Sequence, residues 1–256
     1  MLNWCSYCQQ FQGEGFPFED FSITHGICDR CEPNADTLTK SDLAHALILK
    51  NLQGQLFEAG HRGDVKAAMQ IIEDVGNANM RALDILIGII APMLYQIGQD
   101  WQQGTVSVAQ EHRFTAFCEE MFDVIAAKVK TRIPAGDALQ AERAEVLLMN
   151  APGNCHTLGI RIVTLWLMDK GKQTRLVDVP ATLEELAVQI GEAVPRLLLI
   201  SMSLAEQTVD VAAIAQRIAA FPIPIRPRII VGGHAVKLGL VPAIPGADLI
   251  ADISSL

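Results

Sequence analysis

Two kinds of hydrophobic spacing divide the chain. From residue 41 to about residue 132, apolar positions recur at intervals of three and four, the period that gives a helix one core-facing side. Four runs carry this spacing: "SDLAHALILKNLQGQLFEAG", "GDVKAAMQIIEDVG", "NMRALDILIGIIAPMLYQIGQDWQQG" and "VSVAQEHRFTAFCEEMFDVIAAKVKTR". Gly and Asp punctuate the joints, so the pattern predicts a four-helix bundle over 41–132. After "IPAGDALQAE", which reads as a linker, the spacing changes. Short β-rich runs ("AEVLLMN", "QTRLVDV", "RLLLISM", "RIIVGG", "ADLIADI") alternate with helical ones over 143–256. That order predicts a parallel sheet with helices on both faces. Residues 1–36 follow neither pattern. The expected fold class is therefore α/β: a bundle, then a doubly wound, Rossmann-like sheet, preceded by a small separate segment.

Composition narrows the classes. Half of the 256 residues are apolar and 19% are charged, a globular composition with enough chain for a sizeable core. The net charge is −9 and no basic run stands out, which disfavours unaided binding to nucleic acid or to an anionic membrane. The apolar run "ALDILIGIIAPMLYQIG" is short for a membrane span and is interrupted by Pro92. "MLNWCSYC" lacks the basic and apolar regions of a secretory signal, so a cytoplasmic protein is expected. No fixed-period repeat is present.

The first 36 residues hold four of the six cysteines and four of the nine phenylalanines. Cys5 and Cys8 form one C-x2-C pair and Cys28 and Cys31 a second, with 19 residues between the pairs. Two such pairs can set four thiolates around one Zn²⁺, and a segment too short for a core of its own gains most from a metal staple. Redox-active thiols are the alternative, and His25 stands near enough in sequence to replace one sulfur. The segment also resembles a cysteine motif found beside sensor domains in bacterial signalling proteins.

In an open parallel sheet, ligands sit beyond the carboxyl ends of the strands. The first such end is "LLMNAPGNCHTLG", which puts His156 at a ligand-binding edge. The third strand ends in "SMS", with hydroxyls at Ser201 and Ser203; the fourth ends in Gly232-Gly233, where a ligand could approach the backbone. Neither a G-x-G-x-x-G nor a G-x-x-x-x-G-K-[ST] loop is present.

The series Asn154-x-His156-x-x-Gly159, then 41 residues, Ser201-x-Ser203, then 28 residues, Gly232-Gly233 resembles the signature of the cobalamin-binding domain family over residues 143 to 252. The resemblance implies that His156 ligates cobalt from below in place of the cofactor's own base. It also implies that Ser201 and Ser203 line a slot for the freed nucleotide tail, and that Gly232 and Gly233 let the tail pass. Asn154 stands where the family has an acid; its amide oxygen can accept the imidazole's second N–H but adds no charge, so a weaker cobalt donor is expected.

Trp101, nine intervening residues, and Glu111-His112 resemble the bundle of CarH-type light-sensing regulators. That likeness implies a cap, with Trp101 over the upper ligand of an adenosylcobalamin or another alkyl or hydroxo form, and Glu111 and His112 beside it. Gln102 stands where light-responsive members often carry a histidine, leaving His112 as the nearest substitute. From the residues alone, Trp101 reads as a core residue and Glu111 as a partner of a helix N-terminus; the cobalamin signature is what favours the cap. Cys118 and Cys155 read as quiet buried thiols, with a cobalt-facing thiol as the alternative for Cys155 beside His156; His45, His61 and His234 read as structural or surface residues, and Arg62 and Asp64 as an inter-helix turn and cap. The implied function is a light-responsive cobalamin sensor, not an enzyme. Its output would pass through a protein partner such as a transcription factor or signalling protein, and self-association into a homo-oligomer is compatible with it. A corrinoid carrier for methyl transfer is the alternative; a haem- or bilin-binding sensor on the same fold is a third.

Overall fold

The structure, a computed structural model, describes residues 1–33, 40–76, 80–130, 144–180 and 182–255. The expected linker "IPAGDALQAE" and most of the polar stretch after Cys31 lie outside these residues, as does the His45 side chain. The chain divides into two compact units, Met1–Lys130 and Thr131–Leu256. The Cys-rich segment belongs to the first unit, together with the helices.

In that unit, β1 (Leu2–Cys5) is the middle of a three-stranded sheet, antiparallel to β2 (Phe11–Glu14) and parallel to β3 (Ile23–Gly26). The helices follow: α1 (Lys40–Arg62), α2 (Val65–Gly76), a rod made of α3 (Ala82–Ile85), a π turn (Leu86–Ile90) and α4 (Ala91–Gln102), and α5 (Val108–Lys130). These are the four predicted helices. Their apolar spacing produces a shared core that includes Leu52, Leu56, Ile89, Ile97, Phe114 and Met121. Asp64 caps α2 as expected, its carboxylate accepting from the Ala67 N–H at 3.0 Å. Ser107 and Gln110 cap α5 reciprocally: the Ser107 N–H donates to Gln110 Oε1 at 2.8 Å, and the Gln110 N–H to Ser107 Oγ at 3.3 Å.

The third helix runs through Pro92, as its spacing predicts. Its apolar stretch is longer than expected: Ala82–Gln102 is long and apolar enough to cross a membrane by length and composition. Most of its apolar window is instead buried within the protein, as a core helix. A proline ring normally collides with the carbonyl four residues back, here that of Gly88. The π turn directly before α4 opens the ladder at that point, so the helix continues.

The second unit is a five-stranded, all-parallel sheet in the order β5-β4-β6-β7-β8: Thr174–Leu176, Val146–Asn150, Leu197–Ser201, Arg228–Gly232 and Ala247–Leu249. Helices α6 (Thr157–Asp169), α7 (Leu183–Ala193), α8 (Thr208–Ala219) and the short α9 (His234–Lys237) connect the strands. Alternate residues of β4, β6 and β7 feed two cores. Leu147, Met149, Leu198, Ile200, Ile229 and Val231 face one; Val146, Leu148, Leu199 and Ile230 face the other. Burial on both faces is why these strands read as unbroken apolar runs. The chain passes from β4 outward to β5 and then returns to β6 on β4's other side. The carboxyl ends of β4 and β6 therefore flank the switch point, where doubly wound folds hold ligands.

Candidate functional site

The loop 151–156 leaves the carboxyl end of β4 and runs beside the end of β6. Asn154 organises it. This side chain is only 7% exposed. Its Nδ2 donates to the Ser201 carbonyl at 2.9 Å, and its Oδ1 accepts from Ser203 Oγ at 2.9 Å and from the His156 backbone N–H at 3.1 Å. Asn150, the last residue of β4, adds Nδ2 contacts to the carbonyls of Asn154 and His156 at 3.2 and 3.4 Å. The loop backbone is thus pinned from both sides while the His156 side chain stays exposed, with no hydrogen bond to a described residue. This corrects one expectation: the Asn154 amide oxygen holds the main chain and the Ser203 hydroxyl, not the imidazole.

Ser203 links onward to Gln207, whose Oε1 accepts from the backbone N–H groups of Ser203 and Leu204 at 3.0 and 3.2 Å. Gln207 is 5% exposed, and its Nε2 is a buried donor with no partner among the described residues. The sequence reading missed both Asn150 and Gln207. A polar residue closing an otherwise apolar strand was the available signal for the first. Ser201 joins the network through its carbonyl rather than its hydroxyl, also accepting from the Ala151 N–H at 2.9 Å.

The glycine pair has a structural role of its own. Gly233 has φ +106 and ψ −175, and a Cβ there would lie 2.3 Å from the Met202 carbonyl oxygen. Gly232 accepts from the Met202 N–H at 2.8 Å. The pair therefore lets the loops after β6 and β7 touch, a requirement that exists without any ligand. A Cβ on Gly159, in the first turn of α6, would meet nothing within 4 Å, so that side is open. His234 follows the pair and opens α9. It is no bland surface residue: burial, then the nearby charges of Lys237 and His156, hold its pKa below the ordinary histidine value. Cys155 is exposed beside His156.

The site residues expected in the bundle lie in the first unit. Trp101, near the end of α4, is 47% exposed, which excludes its reading as a core residue. Glu111 lies in the first turn of α5, where its charge also suits the helix dipole, and accepts from Thr115 Oγ1 at 2.8 Å. His112 is exposed, its Nε2 at 3.6 Å from Glu111. Cys118 is buried, and burial pushes its thiol up. His61 packs edge-on against Phe57 and Phe114.

Cys5, Cys8, Cys28 and Cys31 form a cluster whose sulfurs all lie within 4.8 Å of one another; His25 is not part of it. Burial opposes ionisation of Cys5. The backbone N–H groups of Cys8, Cys28 and Tyr7 outweigh that and bring its thiol down to about 6. Cys31 goes the other way, pushed up to about 12 by desolvation and then by the neighbouring thiols.

Residues 52–126, which include Trp101, Glu111 and His112, match the family model described as "B12 binding domain". Over those residues the helical segment is similar to the B12-binding family. Outside it, the likeness is one of fold. The structure of the Methanosarcina barkeri monomethylamine corrinoid protein superposes with a TM-score of 0.65 at 17% identity, covering 80% of this chain and 94% of that one. A cobalamin-binding protein from Desulfitobacterium hafniense DCB-2 covers 79% of this chain and 93% of its own, at 14% identity and a TM-score of 0.41. The methanol:cobalamin methyltransferase complex of M. barkeri covers 90% of each chain at 14% identity and a TM-score of 0.36. Comparison with the curated proteins finds no match.

Proposed function

We propose that the protein binds a cobalamin, with His156 as the lower ligand of cobalt, and works as a corrinoid carrier for methyl transfer. One observation carries this reading: an exposed imidazole on a switch-point loop whose backbone is pinned by the buried Asn154. A neutral imidazole is a suitable cobalt donor, and a pinned loop fixes where it points without consuming its ring nitrogens. The remaining residues fit the group. The side of Gly159 is open, and Gln207 holds a buried donor without a partner among the described residues, suited to a polar tail. The B12-binding family match and the shared fold with a corrinoid protein support the same reading.

When bound, the cobalt supplies the one-carbon chemistry. The chain's own part is to hold and orient. His156 donates a nitrogen lone pair, and Asn154 and Asn150 keep the loop from recoiling. Asn154 carries no titrating group, so the loop offers no proton relay through that position. A carrier of this kind must meet methyltransferase partners in turn. The partner is therefore another protein.

Light sensing is the second reading, favoured by the exposure of Trp101. A single set of measurements separates the two. Cobalamin titrated into the purified protein should give a corrin spectrum with a nitrogen lower ligand, read by electron paramagnetic resonance of the Co(II) form. His156→Ala should lose that nitrogen. An unchanged nitrogen signal in the variant, or a haem or bilin spectrum in the wild type, overturns the proposal. Illumination of the adenosylcobalamin form should leave gel-filtration volume unchanged; a light-dependent change in assembly would put the sensor reading ahead.

A further inference from the structure

The four thiols at the N-terminus are set as a metal would require. Four thiolates about 2.3 Å from a tetrahedral zinc stand about 3.8 Å from each other. Cys8 Sγ and Cys28 Sγ are 3.8 Å apart, and all four sulfurs fall within 4.8 Å. That spacing is far too wide for a disulfide and close for four thiols that gain little from each other.

The backbone supports the arrangement on both sides. Around the first pair, the Cys5 N–H donates to the Gln10 carbonyl and the Gln9 N–H to the Cys5 carbonyl, each at 3.0 Å. Gln9 takes φ +55, unusual for a side chain other than glycine, and is nearly fully buried. In the second pair, the N–H groups of Cys31 and Glu32 both donate to the Cys28 carbonyl, at 2.8 and 2.9 Å. The Cys28 N–H points at Cys5 Sγ at 3.5 Å, and the Ser6 N–H ties the two turns through the Gly26 carbonyl at 2.9 Å. Backbone N–H groups aimed at sulfur favour the thiolate form, the ligand form of cysteine.

The same small sheet is keyed into the bundle. Trp4 and Phe11 meet edge to face with ring centroids 5.6 Å apart. A Cβ on Gly88, at the centre of the π turn, would lie 2.5 Å from Trp4 Cζ2 and 2.6 Å from Phe11 Cδ2. Phe21 stacks on Tyr95 of α4 at 6.5 Å, and Gln53 of α1 donates to the Phe21 carbonyl at 2.9 Å. The sheet has little else to keep it folded: its strands are four residues each. Strands this short need an external brace.

We propose that Cys5, Cys8, Cys28 and Cys31 hold one zinc ion, and that this ion is the clasp that keeps Trp4 and Phe11 seated at Gly88 of the helical rod. The set is closed, with four sulfurs and no open position, as in structural rather than catalytic sites. Iron accepts the same geometry, but zinc lies above Fe²⁺ in affinity for such a donor set. Metal occupancy is then coupled to the folding of the sheet, since the ligands meet only when it is formed.

The proposal is independent of the cobalamin reading, and one elemental analysis of the full chain reads zinc and cobalt separately. Protein purified without chelator should carry one zinc per chain and release it with the exposure of four titratable thiols. Cys28→Ser/Cys31→Ser should carry none. In a Trp101→Phe/Trp166→Phe background, where Trp4 is the remaining fluorophore, EDTA should shift its emission to the red and zinc alone should restore it. No metal in the reduced chain, or iron in place of zinc, overturns the site. Zinc removal that leaves Trp4 emission unchanged overturns the clasp, and because that measurement uses the cysteines intact, it stands even if the double serine variant fails to fold.

Discussion

Gly233→Ala tests whether the glycine pair serves the fold before it serves a ligand. The wild-type backbone there, φ +106 and ψ −175, lies in a region open essentially to glycine alone; holding alanine in it costs about 1–3 kcal/mol. The new methyl would also sit 2.3 Å from the Met202 carbonyl oxygen and 2.9 Å from the Met202 nitrogen. Both are backbone atoms, so no rotamer change relieves the clash, and the loop after β6 must move. Overpacking of this kind costs about 1–3 kcal/mol. Moving the loop strains the Met202-to-Gly232 bond of 2.8 Å and the Ala235-to-Met202 bond of 3.3 Å, each worth about 1 kcal/mol. With those two bonds strained rather than broken, the total is about 3–7 kcal/mol.

A loss of that size lowers the melting midpoint of the second unit by roughly 10–25 °C. Scanning calorimetry of the full chain without cobalamin should show it, with the transition of the first unit unchanged. Gly232→Ala is the comparison. Its Cβ would meet one atom, the Ile250 carbonyl oxygen at 3.1 Å, with no positive φ to maintain, so it should lose much less. If Gly233→Ala melts with the wild type and loses only cobalamin affinity, the reasoning is refuted and the glycine serves the ligand.

Two further outcomes follow from single side chains. His234 has a lowered pKa in the folded state, so the unfolded chain binds more protons; its contribution is complete above the ordinary histidine value of 6.5 and is lost as the pH falls below it. Urea midpoints of the second unit should therefore drop between about pH 7.5 and pH 5, and His234→Gln should flatten that dependence; an equally steep curve in the variant would show that another group is responsible. Trp101→Ala removes a half-exposed ring and leaves no enclosed cavity, so stability should change by less than about 1 kcal/mol while cobalamin binding weakens, and unchanged binding by titration would exclude Trp101 from the site.

Long elements with a clear period were legible in the sequence: the four helices and the five parallel strands lie where their spacing puts them. The position of His156 at a strand's carboxyl end followed from topology alone. What escaped depended on contacts between distant residues. The third helix was legible through Pro92, but nothing local reveals the π turn around Gly88 that accommodates the proline and seats Trp4 and Phe11. The N-terminal strands are four residues long and carry no alternation strong enough to register. His234 looked bland because only the fold brings it near His156 and buries it. Gln207 escaped for the same reason. Its Oε1 satisfies a tight turn, and the donor left over at Nε2 is set only by what the fold packs around it.

Asn154 is where a family pattern and this structure point in opposite directions, and Asn154→Asp decides between them. By the pattern, an acid at this position should strengthen the imidazole as a donor. In the structure both ends of the amide are in use. Oδ1 already accepts from the His156 N–H and Ser203 Oγ, and Nδ2 donates to the Ser201 carbonyl and, more weakly, to Asn150 Oδ1 at 3.5 Å. An aspartate would turn a carboxylate oxygen toward two acceptors, in a position 7% exposed. Losing that donor and burying the charge should cost about 2–4 kcal/mol, softened by the two donors that remain. The repulsion and burial disfavour the charged form, so the new carboxyl's folded pKa rises above its unfolded value of about 3.9. A raised pKa means that the folded state holds the proton longer, so the loss is small below about pH 4 and grows as the pH rises through the folded pKa. Urea denaturation of wild type and variant from about pH 4 to pH 8 should show the gap widening. The cobalt–nitrogen signal should be no stronger in the variant, because the carboxylate still faces the loop backbone. A variant as stable as the wild type at every pH, with a strengthened nitrogen signal, would mean that position 154 reaches the imidazole after all.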